Sequence, residues 1–258
     1  MQPTLSAPGD RKIATVAGAI GLLALGILNI VYGDLLLQWQ PAPKAAAWRM
    51  PVAWLSGAIL VLAGAGLLVP RLRRFAATLG AAWIALWVVA LNLPLAVAAK
   101  GNVAALLGMA ECSAMALGFA VLALPNEARR YKRVLVATFG LCVLIFGLSH
   151  FVYPDFTAAM IPDWLPAHLA VAYLTGAVHA LTGLCMLFGI AMPAAAWIEV
   201  AMMSAFVVLL HVPRVMAAPT NRLELTMLAI AVTLTSAAWI VAASTRGGVR
   251  MQGPLPVA

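Results

Sequence analysis

The sequence predicts an all-α, polytopic membrane protein, with eight transmembrane helices arranged as two four-helix bundles in parallel repeat. Three observations predict it. The 258 residues are 64% apolar and only 9% charged, with a mean hydropathy of +1.01. Soluble domains run nearer half apolar and about a quarter charged. Such a chain lacks the polar surface a soluble enzyme shows to water, and its long apolar runs exclude disorder. Segments long enough to cross a bilayer, about 20 residues for ~30 Å, occur eight times. The last four of them repeat the first four.

Helices are required because lipid leaves unpaired backbone groups unsatisfied. The first span, residues 13–31, follows Arg11 and Lys12 and has the outline of a signal peptide. Seven further spans behind it mark it as a retained helix. The loop that follows carries Trp39 and Trp48, expected at the outer interface with Trp164, where an aromatic belt belongs. The second span, 52–69, ends at the basic run RLRR, and the third occupies 75–95. The fourth, 103–124, holds Glu111 ~12 Å from its start by helical rise. NEARRYKR joins it to the fifth, 134–152. The sixth, 168–190, precedes the seventh, 193–212, whose Glu199 is expected near the cytoplasmic interface; the eighth is 223–244.

Eleven Lys and Arg on the N-terminal side of the spans, Arg246 and Arg250 included, face five on the other. That bias puts both termini in the cytoplasm, as in a bacterial-type inner membrane protein. The net charge of +8 is therefore a topology signal. No stretch interleaves basic and aromatic residues as a nucleic-acid groove would, so the expected partner is the lipid bilayer and not nucleic acid.

The repeat sets the domain organisation. GILNIVYGD at 26–34 aligns with GLSHFVYPD at 147–155, and SGAILVLAG at 56–64 with TGAVHALTG at 175–183. NLPLAVAAKGN at 92–102 aligns with HVPRVMAAPTN at 211–221. The expected division is a cytoplasmic tail at 1–12, a first unit at 13–125, a basic linker at 126–133, a second unit at 134–245 and a tail at 246–258. Four spans per unit give both halves the same orientation, a parallel repeat.

All four histidines lie in the second half. His150 aligns with Asn29, His211 with Asn92 and His179 with Leu60. Ionisable groups in a membrane span usually face a bundle interior or water. His168, Thr175, His179 and Thr182 share one face of the sixth span at ~100° per residue, flanked by Gly176, Ala180 and Gly183, which permit close helix contact. His150, His168 and His211 are expected at one level, with Asp155, Asp163 and Arg214 close by. His179 lies ~16 Å deeper. The pattern describes a polar funnel into the second bundle, with His150, His179, His211, Thr175 and Asp155 as candidate ligand-binding residues. Glu111 in the first half is a candidate for proton handling or for bonding a neighbouring helix. His168 is equally well read as a helix cap.

Other chemistries lack their motifs. Cys112, Cys142 and Cys185 are isolated in apolar runs, and no histidine pair has the i, i+3 or i+4 spacing of helical metal ligands, so no metal site is expected. There is no HExxH, GxSxG or Walker loop. His150 and His211 meet the depth requirement of a bis-histidine haem and no other.

The run from 147 to 189 resembles the DoxX family of small four-helix membrane proteins. The residues that carry the likeness are Gly-x-x-His-Phe at 147–151, Pro154 and Phe156, Pro-x-x-Leu-Pro at 162–166 and Tyr-x-Thr-Gly at 173–176. The likeness extends over most of 134–244 and, in decayed form, 14–124. The family typically has Glu where this chain has His179, and a Pro-Ala-Asn run where it has HVPRV. The resemblance implies a membrane subunit of a respiratory assembly, some members serving thiosulfate:quinone oxidoreductases, with His150, Pro154, Gly176 and His179 at the motif positions. Three function classes remain open: a redox-associated subunit binding a quinone or other small lipophile and a soluble or membrane redox partner, a small-solute or proton-coupled carrier, and a non-catalytic scaffold. The sequence names no cofactor beyond the quinone candidate and no oligomeric state.

Overall fold

The computed structural model describes residues 7–245. The segments 1–6 and 246–258, with Arg246 and Arg250, lie outside the described residues. The chain is all-helical among the described residues, and eight helices are long and apolar enough to span a membrane. They are α1 (Ala7–Tyr32), α2 (Arg49–Leu68), α3 (Arg73–Trp87, continued as Leu93–Ala98), α4 (Val103–Ala123), α5 (Arg129–Val152), α6 (His168–Phe188), α7 (Met192–Phe206, continued as Val212–Ala217) and α8 (Arg222–Thr245). Large apolar side chains such as Leu62, Val89, Leu174 and Leu181 stand exposed around them, as lipid-facing groups must.

Two expected boundaries shift. Residues 7–12, expected as tail, form the first turns of α1, and Arg129–Arg133, expected as linker, begin α5. Pro8 sits in the first turn of α1, where a missing amide costs nothing, and α5 starts at Arg129, four residues after Pro125.

The two halves match in backbone detail. α3 and α7 each pass through a π-helical turn, at Val88–Asn92 and Val207–His211, 119 residues apart. Each turn is followed by a proline, Pro94 or Pro213, at the second residue of the resumed helix. A proline lacks the amide its helix needs and crowds the carbonyl one turn back; the wider π turn absorbs that mismatch. Glycines set close crossings at equivalent positions. A Cβ on Gly26 would stand 2.7 Å from the Gly57 carbonyl oxygen, and one on Gly147 2.7 Å from that of Gly176. Only glycine lets α1 meet α2, and α5 meet α6, this closely.

The helices close in a ring, with α1 packed on α2 and α8, α4 on α3 and α5, and α4 on α8 through the middle. Each half thus has its first helix against the last helix of the other half. Phe119, Leu122, Ala237 and Val241 bury that central seam.

Candidate functional site

In the second half, α5, α6 and α7 bring polar groups together inside the ring. His179, 3% exposed, donates from Nδ1 to Glu199 Oε1 at 2.8 Å, and Glu199 is fully buried. Thr182, one turn along α6, donates to the other carboxylate oxygen at 2.8 Å. His150 stands next to this pair, its ring centroid 5.3 Å from that of His179 in an edge-to-face arrangement. Its Nδ1 lies 3.1 Å from the Ala172 carbonyl and 3.0 Å from Thr175 Oγ1. The carbonyl can only accept, so Nδ1 carries the proton and Nε2 presents a lone pair. By the same reasoning the Glu199 carboxylate places a proton on Nδ1 of His179 and leaves Nε2 as acceptor. Phe206 stacks on His150 at 6.4 Å, and Phe146 meets His179 edge-on at 5.9 Å. These rings wall the histidines with apolar surface. The arrangement offers two adjacent imidazole acceptors, one backed by a buried carboxylate able to stabilise it when protonated.

The equivalent region of the first half is filled by the chain itself. Between α1 and α2, Leu35, Leu36, Trp39 and Gln40 fold inward and are no more than 3% exposed. The Gln40 amide sits between Asn29 and Ser56: Asn29 Nδ2 donates to Gln40 Oε1 at 3.0 Å, and Gln40 Nε2 donates to Ser56 Oγ at 2.9 Å. Asn92, in the π turn, donates to the Trp39 carbonyl at 3.2 Å. Trp39 Nε1 donates to Glu111, and the Cys112 thiol approaches the Trp39 carbonyl at 3.4 Å. Asp34 pins the insertion, bonded to Arg49 at 2.6 Å and to Arg222 of α8 at 3.1 Å. Burial works against ionised Asp34, but the Leu35 amide and the two guanidinium groups outweigh it and hold its carboxyl below the usual carboxylate range.

The second half has no such insertion. Its loop forms a short helix, Pro154–Ala158, and irregular turns without a buried residue. Asp155, the counterpart of Asp34, is exposed, and the places of Arg49 and Arg222 are taken by His168 and Val103.

Of the sequence-predicted residues, the structure brings together His150, Thr175 and His179. His211 lies in the π turn of α7, nine-tenths buried, with the bidentate Arg214–Glu224 ion pair at 2.7–2.9 Å nearby. Its Nδ1 finds no protein partner. His168 bonds the Pro162 carbonyl at 3.1 Å and closes its own loop, without capping α6. Glu111 accepts from the Trp39 indole, which belongs to the inserted segment and not to a neighbouring span. No group of three metal-ligating side chains occurs among the described residues.

Two expectations are corrected. Glu199 is not interfacial: it is the buried partner of His179. The signal was in the spacing, since His179 and Glu199 stand ten residues either side of Gly189, the left-handed residue that ends α6, and an antiparallel hairpin brings such positions together. Trp39 does not join an aromatic belt, because the LLLQW segment folds into the bundle and takes it along; Trp48 and Trp164 are exposed.

Comparison with known proteins finds no matching family model, no similar curated protein and no similar solved structure.

Proposed function

We propose that this is a DoxX-like inner-membrane protein, with both termini cytoplasmic, whose second bundle binds a quinone or other small lipophile as part of a redox assembly. The observation that carries this reading is the buried His179–Glu199 pair in contact with His150. A lone buried imidazole would serve packing, but an imidazole backed by a carboxylate and a threonine hydroxyl is built to gain a proton. In the first half the same three positions hold Asn29, Leu60 and Gly80, which cannot move one.

On this reading Nε2 of His150 would hold a hydroxyl of a reduced quinone, and the proton would pass to the adjacent imidazoles, where Glu199 can stabilise the imidazolium of His179. The quinol would supply two protons and two electrons, the electrons passing to the redox centre of a partner protein. Phe206 and Phe146 exclude water from the exchange.

The test is purification in a mild detergent followed by an absorbance spectrum and mass spectrometry of extracted small molecules. A quinone-type lipophile that travels with the wild type and is lost from His179→Ala supports the reading. The same molecule retained by a folded His150→Ala/His179→Ala variant overturns it.

A further inference from the structure

The first half carries, in its own loop, a stand-in for what the second half holds. Asn29, Ser56 and Asn92 each hydrogen-bond the inserted segment, at the Gln40 amide or the Trp39 carbonyl. Their counterparts His150, Thr175 and His211 keep the same places on α5, α6 and α7, and the Ser56–Asn29 contact of 3.2 Å recurs as the Thr175–His150 contact of 3.0 Å. The polar positions are repeated and the inserted segment is not. One consequence is visible: His211 Nδ1, equivalent to the Asn92 amide that holds the Trp39 carbonyl, is buried without a protein partner. Buried polar atoms are bonded as a rule, and an orphan in a repeat whose twin is bonded marks a missing group. The Trp87 and Trp239 indoles are also unbonded, but the positions equivalent to them bear no such twin.

We propose that the second half binds, in the place of that inserted plug, a lipophile whose head carries two hydrogen-bonding oxygens. One oxygen sits against His150 and Thr175, where the Gln40 amide lies in the first half. The other accepts from His211 Nδ1–H, where the Trp39 carbonyl lies. Trp39 and Gln40 are consecutive, their Cα atoms about 3.8 Å apart, so one six-membered ring with oxygens on opposite sides can serve both ends. The apolar remainder of the ligand replaces Leu35 and Leu36. The first half, already plugged, takes none. This pose rests on the reading of the second bundle as a lipophile site, and it adds His211 as the residue that orients the head while removing Asp155 from the binding set.

The experiment uses the full chain in nanodiscs and a decyl-substituted dimethoxy-methyl-benzoquinol, kept reduced, with bound probe measured after filtration. The wild type is expected to saturate at one probe per chain. His211→Ala raises Kd about tenfold, the loss of one hydrogen bond to a buried group, and lowers the ligand-free melting temperature only by the packing of one buried ring. His211→Asn restores a donor and returns Kd to within about threefold of the wild type. Asn92→Ala lowers the melting temperature and leaves Kd alone. If His211→Ala binds as tightly as the wild type while His179→Ala does not bind, the pose is overturned and the site reading stands. Two probes per chain overturn the plug. A wild type that binds no probe ends both.

Discussion

His179 and Glu199 share a hydrogen bond of 2.8 Å, their side chains 4% and 0% exposed. A buried pair of this kind is poor evidence of stability by itself, because both groups give up hydration to form it. Breaking it is another matter. Glu199→Ala leaves His179 buried with an unmet donor and is expected to lower unfolding stability by about 2–4 kcal/mol. His179→Leu restores the apolar residue found at the equivalent Leu60. The double variant should therefore recover at least about 1 kcal/mol relative to the sum of the single losses. Denaturation in detergent, run as a double-mutant cycle, measures that coupling, and strict additivity would show that the pair does not interact.

The glycine crossings predict sharp local intolerance. A Cβ on Gly57 would lie 2.5 Å from Ile30 Cγ1 and 2.7 Å from the Gly26 carbonyl oxygen. The backbone atom cannot step aside, so Gly57→Ala is expected to destabilise by about 1–3 kcal/mol through forced separation of α1 and α2. Gly101 offers the contrast. It has φ of +72° with nothing within 4 Å, so Gly101→Ala meets only the strain of a left-handed alanine, about 1 kcal/mol. Thermal melts of the two variants side by side separate packing from backbone strain.

Much of this was legible in the sequence, for reasons that differ by feature. The spans follow from hydropathy because lipid forces helices. The repeat followed from short motifs, and the π turns at Val88–Asn92 and Val207–His211 now give it a backbone counterpart. Thr175 and His179 are legible from helical periodicity, which fixes a face without contacts from elsewhere, and His150 from its alignment with Asn29. Glu199 reads as interfacial because it stands near the start of its span, and only the α6–α7 hairpin register pairs it with His179. The insertion of Leu35–Gln40 had no periodic signal at all. It depends on ion pairs of Asp34 with Arg49 and with Arg222, the second 188 residues away in sequence, and on the partners that Asn29, Ser56 and Asn92 need.

The insertion should open when its amide anchor is removed. Gln40→Ala deprives Asn29 and Ser56 of partners and loosens the Trp39 carbonyl from Cys112. In a background with Cys142 and Cys185 replaced by Ser, maleimide labelling of Cys112 is expected to speed up several-fold in Gln40→Ala. An unchanged rate would mean that Gln40 does not hold the segment down.

Asp34 makes the same anchor sensitive to acid. Its carboxyl is held below its ordinary value, so the stabilisation it contributes is complete above its unfolded pKa of about 3.9 and is lost as pH falls through the lower folded value. The melting temperature should therefore drop more steeply below pH 4 in the wild type than in Asp34→Asn, which lacks this titration. Identical acid profiles for the two proteins would remove Asp34 from the account.

The two halves repeat the same polar positions, and on the proposed reading only the second takes a ligand. Photolabelling with a diazirine-bearing benzoquinone in native-like membranes, followed by peptide mapping, tests it most directly. The account predicts labels within 146–152, 172–182 and 206–211, with the equivalent first-half stretches 25–31, 53–63 and 87–92 unlabelled. Equal labelling of both halves, or labels confined to the lipid-facing surface, would contradict it.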